Sequence, residues 1–237
     1  MMAKDVIIAL DFKNALYALT FLEKFGHHRP YVKVGMELFY AEGPSFVRTL
    51  KNRGHEIFLD LKLHDIPNTV KGGMGSIANL GADMVNLHAS GGSVMMKAAL
   101  EGLTRDDGTR PLLIAVTQLT STSQELMQRE LLINESLENT VISYAKNAAD
   151  CGLDGIVCSP LEGGRVKAAC GAGFITVTPG IRFADSVKDD QSRVTTPEKA
   201  RELGSDYIVV GRPITAQDDP LAAYERCVNE FMGGFAK

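Results

Sequence analysis

The sequence predicts an α/β fold, a single (β/α)8 TIM barrel spanning residues 1–237. Three observations carry that expectation. Eight short β-rich runs recur, at 6–12, 31–36, 57–63, 84–89, 112–119, 155–159, 174–181 and 207–214. Helix-patterned stretches separate many of them, at 13–25, 69–80, 92–103, 139–150 and 197–204, so the strands read as parallel crossover units. The length is slightly under the roughly 250 residues typical of such a barrel, and no Pro/Ser-rich linker or low-complexity tract divides the chain. An open doubly wound sheet is the alternative. Its dinucleotide version is weakened because Asp11-Phe12-Lys13 stands where a G-x-G-x-x-G turn would follow the first strand.

In the first run, Ile7, Ala9 and Asp11 share one face by the two-residue period of a strand, with Val6, Ile8 and Leu10 opposite. The second places Tyr31, Lys33 and Gly35 together, against Val32, Val34 and Met36. In the third, Ile57, Leu59, Leu61 and Leu63 form one face and Phe58, Asp60 and Lys62 the other. Each inward face thus turns ionic toward its C-terminal end. A buried strand should not carry ions unless chemistry needs them, and barrel chemistry sits at those ends. Asp11, Lys33, Asp60 and Lys62 are therefore expected to meet at one mouth of the barrel, each lysine beside a carboxylate. Paired in this way, Lys62 suits a proton donor better than a nucleophilic amine. Asp65 lies three residues past Lys62, beyond the strand, so a loop or another chain must bring it into use. A salt-bridged strand end without chemistry is the plain alternative for this segment.

Asn68-Thr69 reads as the start of the next helix, in which Lys71-Gly72-Gly73-Met74-Gly75 lacks the phosphate-loop pattern and its glycines allow close packing. His88 near the end of the fourth run reads as a packed imidazole rather than a catalytic one. The Gly91-Gly92-Ser93 turn opens a helix whose Met95-Met96 pair reads as core or dimer packing, as does the Leu/Met pattern of 126–132, with Gln128-Arg129-Glu130 on a solvated face. Thr178-Pro179-Gly180-Ile181-Arg182 closes the seventh run and Val209-Val210-Gly211-Arg212-Pro213 the eighth, the positions where barrels bind phosphate. Gly180 and Gly211 permit close backbone approach, and Arg212 can hold phosphate oxygens in a fork. The polar stretch 183–193, with Gln191, could close over a bound phosphate or be an exposed loop. Thr196-Pro197 reads as a helix start.

A net charge of -4 without a Lys/Arg-rich run argues against nucleic-acid or anionic-membrane binding. No apolar stretch approaches the roughly 18 residues of a spanning helix, and the first residues run directly into a strand, so a cytoplasmic protein is expected. Cys151, Cys158, Cys170 and Cys227 form neither a C-x-x-C pair nor zinc spacing, and read as reduced thiols. His27, His28, His55, His64 and His88 lack metal-ligand spacing, so no metal is expected.

The run Asp60-Leu61-Lys62-Leu63-His64-Asp65-Ile66-Pro67-Asn68-Thr69, with Lys33 upstream and Pro179-Gly180-Ile181-Arg182 and Gly211-Arg212 downstream, closely resembles the orotidine 5'-phosphate decarboxylase family. The D-x-K-x-x-D element is shared with related sugar-phosphate decarboxylases; the downstream ends and Gln191 make the likeness specific. The resemblance implies a homodimeric barrel that converts orotidine 5'-phosphate to UMP and carbon dioxide without metal or organic cofactor. It implies that Lys33, Asp60 and Lys62 form the charged array, while Asp65 and Thr69 reach into the partner's site. Asp11 and Lys33 match ribose-contacting positions, and Thr120 offers a hydroxyl near the pyrimidine, in a Thr/Ser run that leaves its register open. Pro179, Arg182, Gln191, Gly211 and Arg212 match the phosphate end. Two rivals stand beside it: a metal-dependent 3-keto-gulonate-6-phosphate decarboxylase or similar lyase, and a noncatalytic nucleotide-phosphate-binding barrel.

Overall fold

The computed structural model describes residues 3–185 and 195–234. Eight parallel strands close on themselves in chain order: β1 (Asp5–Ala9), β2 (Tyr31–Gly35), β3 (Ile57–Leu63), β4 (Met84–His88), β5 (Leu112–Val116), β6 (Gly155–Val157), β7 (Ile175–Thr178) and β8 (Tyr207–Val210). Pairing of β8 with β1, from Tyr207 against Asp5 to Val210 against Ile8, seals the barrel and removes its sheet edges. Around it lie α1 (Ala15–Glu23), α2 (Met36–Glu42), α3 (Pro44–Asn52), α4 (Pro67–Ala78), α5 (Gly92–Leu103), α6 (Gln124–Arg129), α7 (Leu137–Asp150), α8 (Gly163–Cys170), α9 (Pro197–Glu202), α10 (Arg212–Thr215) and α11 (Pro220–Met232).

The strand alternation predicted from sequence is the one observed. Ile7, Ala9, Tyr31, Phe58, Met84, Ile114, Ile175, Val177 and Val209 fill the barrel interior. Their neighbours, among them Val6, Ile8, Val32, Val34, Ile57 and Leu59, pack outward under the helices. The strands end earlier than the β-rich runs: 112–119 stops at Val116, 174–181 at Thr178, and 207–214 at Val210, where Arg212 to Thr215 turn helical. Past the last pairing the chain turns polar or carries glycine and proline, Thr117-Gln118, Pro179-Gly180 and Gly211-Arg212-Pro213, as it leaves the barrel for the mouth. Helix α4 starts at Pro67, not at Asn68-Thr69; proline at the first helical position needs no amide partner, and Ile66 holds the extended conformation required before it. Thr196 does cap α9, its side chain accepting from the Lys199 amide at 3.2 Å. Met95 and Met96 are core residues, and of the 126–132 pattern only Met127 is fully buried, with Leu131 and Leu132 exposed.

Opposite the mouth, three aspartates staple the strand starts. Asp83, Asp154 and Asp206, each directly before an even strand, accept from the amides of Ile57, Leu113 and Thr176 at 2.7–2.8 Å. Each also pairs with a cation: Lys51, Arg110 and Lys167 respectively. This end of the fold is therefore built for stability, which leaves the other for chemistry. Glycines set the helix packing beside the mouth. A Cβ on Gly102 of α5 would overlap the Lys71 carbonyl of α4, so the two helices touch backbone to backbone there. Among the described residues no helix is long and apolar enough to cross a membrane.

Candidate active site

At the C-terminal end of β1 to β4 the expected ions meet. Lys33 Nζ lies 3.0 Å from Asp11 Oδ1 and 3.4 Å from Asp60 Oδ2. Lys62 Nζ lies 2.6 Å from Asp60 Oδ1. Asp60 is thus shared by two ammonium groups. Its side chain and that of Lys33 are each 11% exposed, Lys62 is 25% and Asp11 64% exposed, so the array grades from buried centre to open rim. Burial pushes the Asp60 carboxyl upward, but the two lysines, with hydrogen bonds from Lys62 and Asn86, outweigh it and hold the carboxyl below its ordinary value. The central carboxylate is ionised where a buried acid would otherwise take up a proton.

Asn86 is the member that sequence reasoning missed. It sits inward on β4 with 1% exposure. Its Nδ2 donates to Asp60 Oδ1 at 2.6 Å and its Oδ1 accepts from the Lys62 amide at 2.8 Å. That amide is available because β3 bulges: Leu59 pairs with Val85, but the next partner of β4, Leu87, meets Leu63. Lys62 takes φ 51° within the bulge, a left-handed conformation that costs a non-glycine residue about 1–2 kcal/mol. One asparagine side chain therefore holds the strained backbone of Lys62 and the carboxylate facing its ammonium. A lone polar residue two positions past the inward Met84 was the available signal.

Gly35 belongs to the same arrangement. A Cβ there would lie 3.0 Å from Lys33 Nζ and 3.6 Å from Asp11 Oδ1, so the missing side chain leaves Lys33 its place. His88 stands inward at the end of β4 with its ring 5.7 Å from that of His64. Burial first, then His64 and Lys62, push its imidazole below the ordinary range, which favours the neutral ring beside the lysine. It is a packed neighbour of the array.

Asp65 and Thr69 do not join these ions. Both are exposed beyond the end of β3, Asp65 in the turn and Thr69 in the first turn of α4. The Asp65 carboxylate accepts from the Ile66 amide at 2.6 Å and, among the described residues, pairs with no cation. Ile66 beside it is 68% exposed. Thr120 lies half-buried in the turn after β5.

The opposite side of the mouth carries arginines, with Asp185, Asp218 and Asp219 among them. Arg182 and Arg212 line a cleft of about 680 Å³ with Phe183, Pro213 and the start of α11. Asp11, Lys33, Asp60 and Lys62 line a smaller cavity of about 230 Å³. The charged array is thus in the smaller space and the arginines in the larger. Asp11 links them, since a Cβ on Gly211 would lie 3.9 Å from Asp11 Oδ2 and 3.7 Å from Ala9. Those are ordinary van der Waals contacts, so the space around Gly211 would admit a Cβ. Gly180, following Pro179, does need to be glycine, with φ 83°. Gln191 lies outside the described residues, as does most of 183–193. Among the described residues no three His, Cys, Asp or Glu side chains gather as a metal site.

Comparison with known proteins places this geometry in context. The description of the orotidine 5'-phosphate decarboxylase / HUMPS family matches residues 4–227. Orotidine 5'-phosphate decarboxylase from Bacillus cytotoxicus is 55% identical over 235 residues, 98% of this chain and 99% of its own. The protein of that name from a Geobacillus species is 54% identical over 230 residues, 96% of each chain. The crystal structure of orotidine 5'-phosphate decarboxylase from Lactobacillus acidophilus superposes with a TM-score of 0.86 at 45% identity, covering 96% of this chain and 99% of the other.

Proposed function

Because the chain belongs to the orotidine 5'-phosphate decarboxylase / HUMPS family, we propose that it decarboxylates orotidine 5'-phosphate to UMP and carbon dioxide, the last step of de novo UMP synthesis. The single observation that carries this reading is the Lys33–Asp60–Lys62 array, with an ionised carboxylate shared between two ammonium groups. Loss of carbon dioxide from pyrimidine C6 leaves a poorly delocalised carbanion. Without an electron sink it needs a preorganised field and an immediate proton. Lys62 stabilises the developing charge and protonates C6. Asp60 faces the departing carboxylate, and Lys33 with Asp11 holds the ribose. The phosphate lies toward Pro179, Arg182, Gly211 and Arg212, with Gln191 from the 183–193 stretch over it, and Thr120 meets the pyrimidine.

Asp65 and Thr69 serve a second copy of the chain in this scheme, completing the partner's array in a cytoplasmic homodimer of single-domain barrels. Support comes from their exposure and from apolar residues at the same end of neighbouring strands: Tyr40 after β2, Ile66 after β3 and Val94 after β4 are each exposed by about two thirds or more. No metal or organic cofactor enters the reaction. Both Asp60 oxygens face ammonium or amide donors, so a divalent ion would have to displace Lys33 or Lys62 from the array. Following the absorbance of orotidine 5'-phosphate with and without a chelator separates the readings. Loss of substrate in both arms is expected; chelator-sensitive turnover would favour the metal-dependent lyase, and UMP binding without turnover the noncatalytic barrel.

A further inference from the structure

Arg226 on α11 lies outside the charged array and serves the segment that leaves β7. Its guanidinium stacks over the Phe183 ring, 4.1 Å from the centroid. The same group forks onto Asp185, Nη1 donating to Oδ2 at 3.0 Å and Nη2 to Oδ1 at 3.1 Å. Its Nε donates to Glu230 Oε1 at 2.8 Å, one helical turn along, which fixes the plane of the fork. Phe183 is buried in the outer core, so the stacked ring is anchored from below. On the other flank, the Arg182 amide donates to the Thr195 carbonyl at 3.0 Å, and the Thr195 amide donates to Gly180 at 3.1 Å. Arg182 is thus held from both sides of its own backbone. Arg182, Phe183, Asp185, Arg212 and Arg226 all face the 680 Å³ cleft.

We propose that Arg226 is a positioning residue for phosphate-ester binding: from α11 it fixes Phe183 to Asp185, so that Arg182 stands ready beside Arg212 before the ligand arrives. The identity of the ester rests on the decarboxylase reading above. Each contact is weak taken alone, since Arg226 and Asp185 are 44% and 69% exposed. Their combined effect is on preorganisation, where ordering a segment in advance improves affinity without touching the reacting atoms. Only arginine serves, because lysine supplies neither the planar stack nor the fork.

Steady-state kinetics of Arg226→Gln, Arg226→Lys, Asp185→Asn and the Arg226→Gln/Asp185→Asn double variant test this. Each single variant should raise KM for orotidine 5'-phosphate roughly fivefold with kcat unchanged. The double variant should be no worse than either single one, and turnover of the phosphate-free nucleoside should not change. An unchanged or lowered KM, a lysine variant equal to wild type, or an equal effect on the phosphate-free nucleoside would overturn the proposal. If the wild-type chain does not turn over orotidine 5'-phosphate, the decarboxylase reading fails instead. Calorimetric titration with inorganic phosphate then decides the role of Arg226: weaker binding by Arg226→Gln supports it, and equal binding refutes it.

Discussion

Asn86→Leu replaces the amide with an apolar side chain of the same branching and removes the two bonds that hold the array. The first is a charge-assisted bond to Asp60 at 2.6 Å, of a kind worth about 1.5–3 kcal/mol. The second is the only acceptor described for the Lys62 amide, at 2.8 Å; leaving a buried donor unpaired costs about 1–3 kcal/mol. Water has little access to either, since Asn86 is 1% exposed. The sum predicts a loss of about 2.5–6 kcal/mol in urea unfolding, set against the roughly 5–15 kcal/mol that holds an ordinary domain. The functional effect is larger in proportion. Freed from Asn86, the left-handed Lys62 backbone relaxes, and a displacement of about 1 Å at a reacting group can cost roughly 10²-fold in rate. The variant should therefore lose about two orders of magnitude in kcat on orotidine 5'-phosphate, with KM little changed because the arginine-lined cleft is untouched. A stability loss below about 1 kcal/mol, together with kcat within threefold of wild type, would refute the assignment of Asn86 as the clamp.

Three further outcomes follow from the same geometry. The Asp60 carboxyl titrates below its ordinary value when folded, so its contribution is present above about pH 4 and lost as pH falls through the depressed value; urea unfolding of Asp60→Asn should show a shallower acid dependence there than wild type, and identical curves would count against it. The His88 imidazole is also depressed, so the unfolded chain binds a proton that the folded one resists; stability should be full above about pH 6.5 and fall below it, and His88→Gln should flatten that fall. Gly102→Ala forces a Cβ into the Lys71 carbonyl and should cost more than about 2 kcal/mol by thermal unfolding, whereas Gly72→Ala, on the same pair of helices with open space around it, should stabilise by about 0.5–1 kcal/mol.

Much of the site was legible in the sequence because a strand has a period of two and tolerates buried ions poorly. Asp11, Lys33, Asp60 and Lys62 could be placed on one face, and at one end, from those two facts alone. The eight strands were visible for the same reason, but their ends were not: single apolar residues such as Leu119, Ile181 and Ile214 recur after pairing stops and prolong the β-rich pattern. Helices α2 and α3 were not foreseen, since α2 begins directly after Gly35 without a loop and Gly43-Pro44 interrupts the pattern. The stapling aspartates and Asn86 were missed because their meaning lies in partners 24 to 41 residues away, which no local pattern reveals. Asp65 stood out as lying past its own strand, and it is exposed in the turn after β3.

Turnover of orotidine 5'-phosphate by Lys62→Ala, measured beside wild type with UMP binding as the check on an intact site, tests the central claim most directly. The account predicts a fall in kcat of at least roughly 10²-fold, the low end of what a general acid supplies, with UMP still bound. Turnover near the wild-type rate in a folded, UMP-binding variant would contradict it.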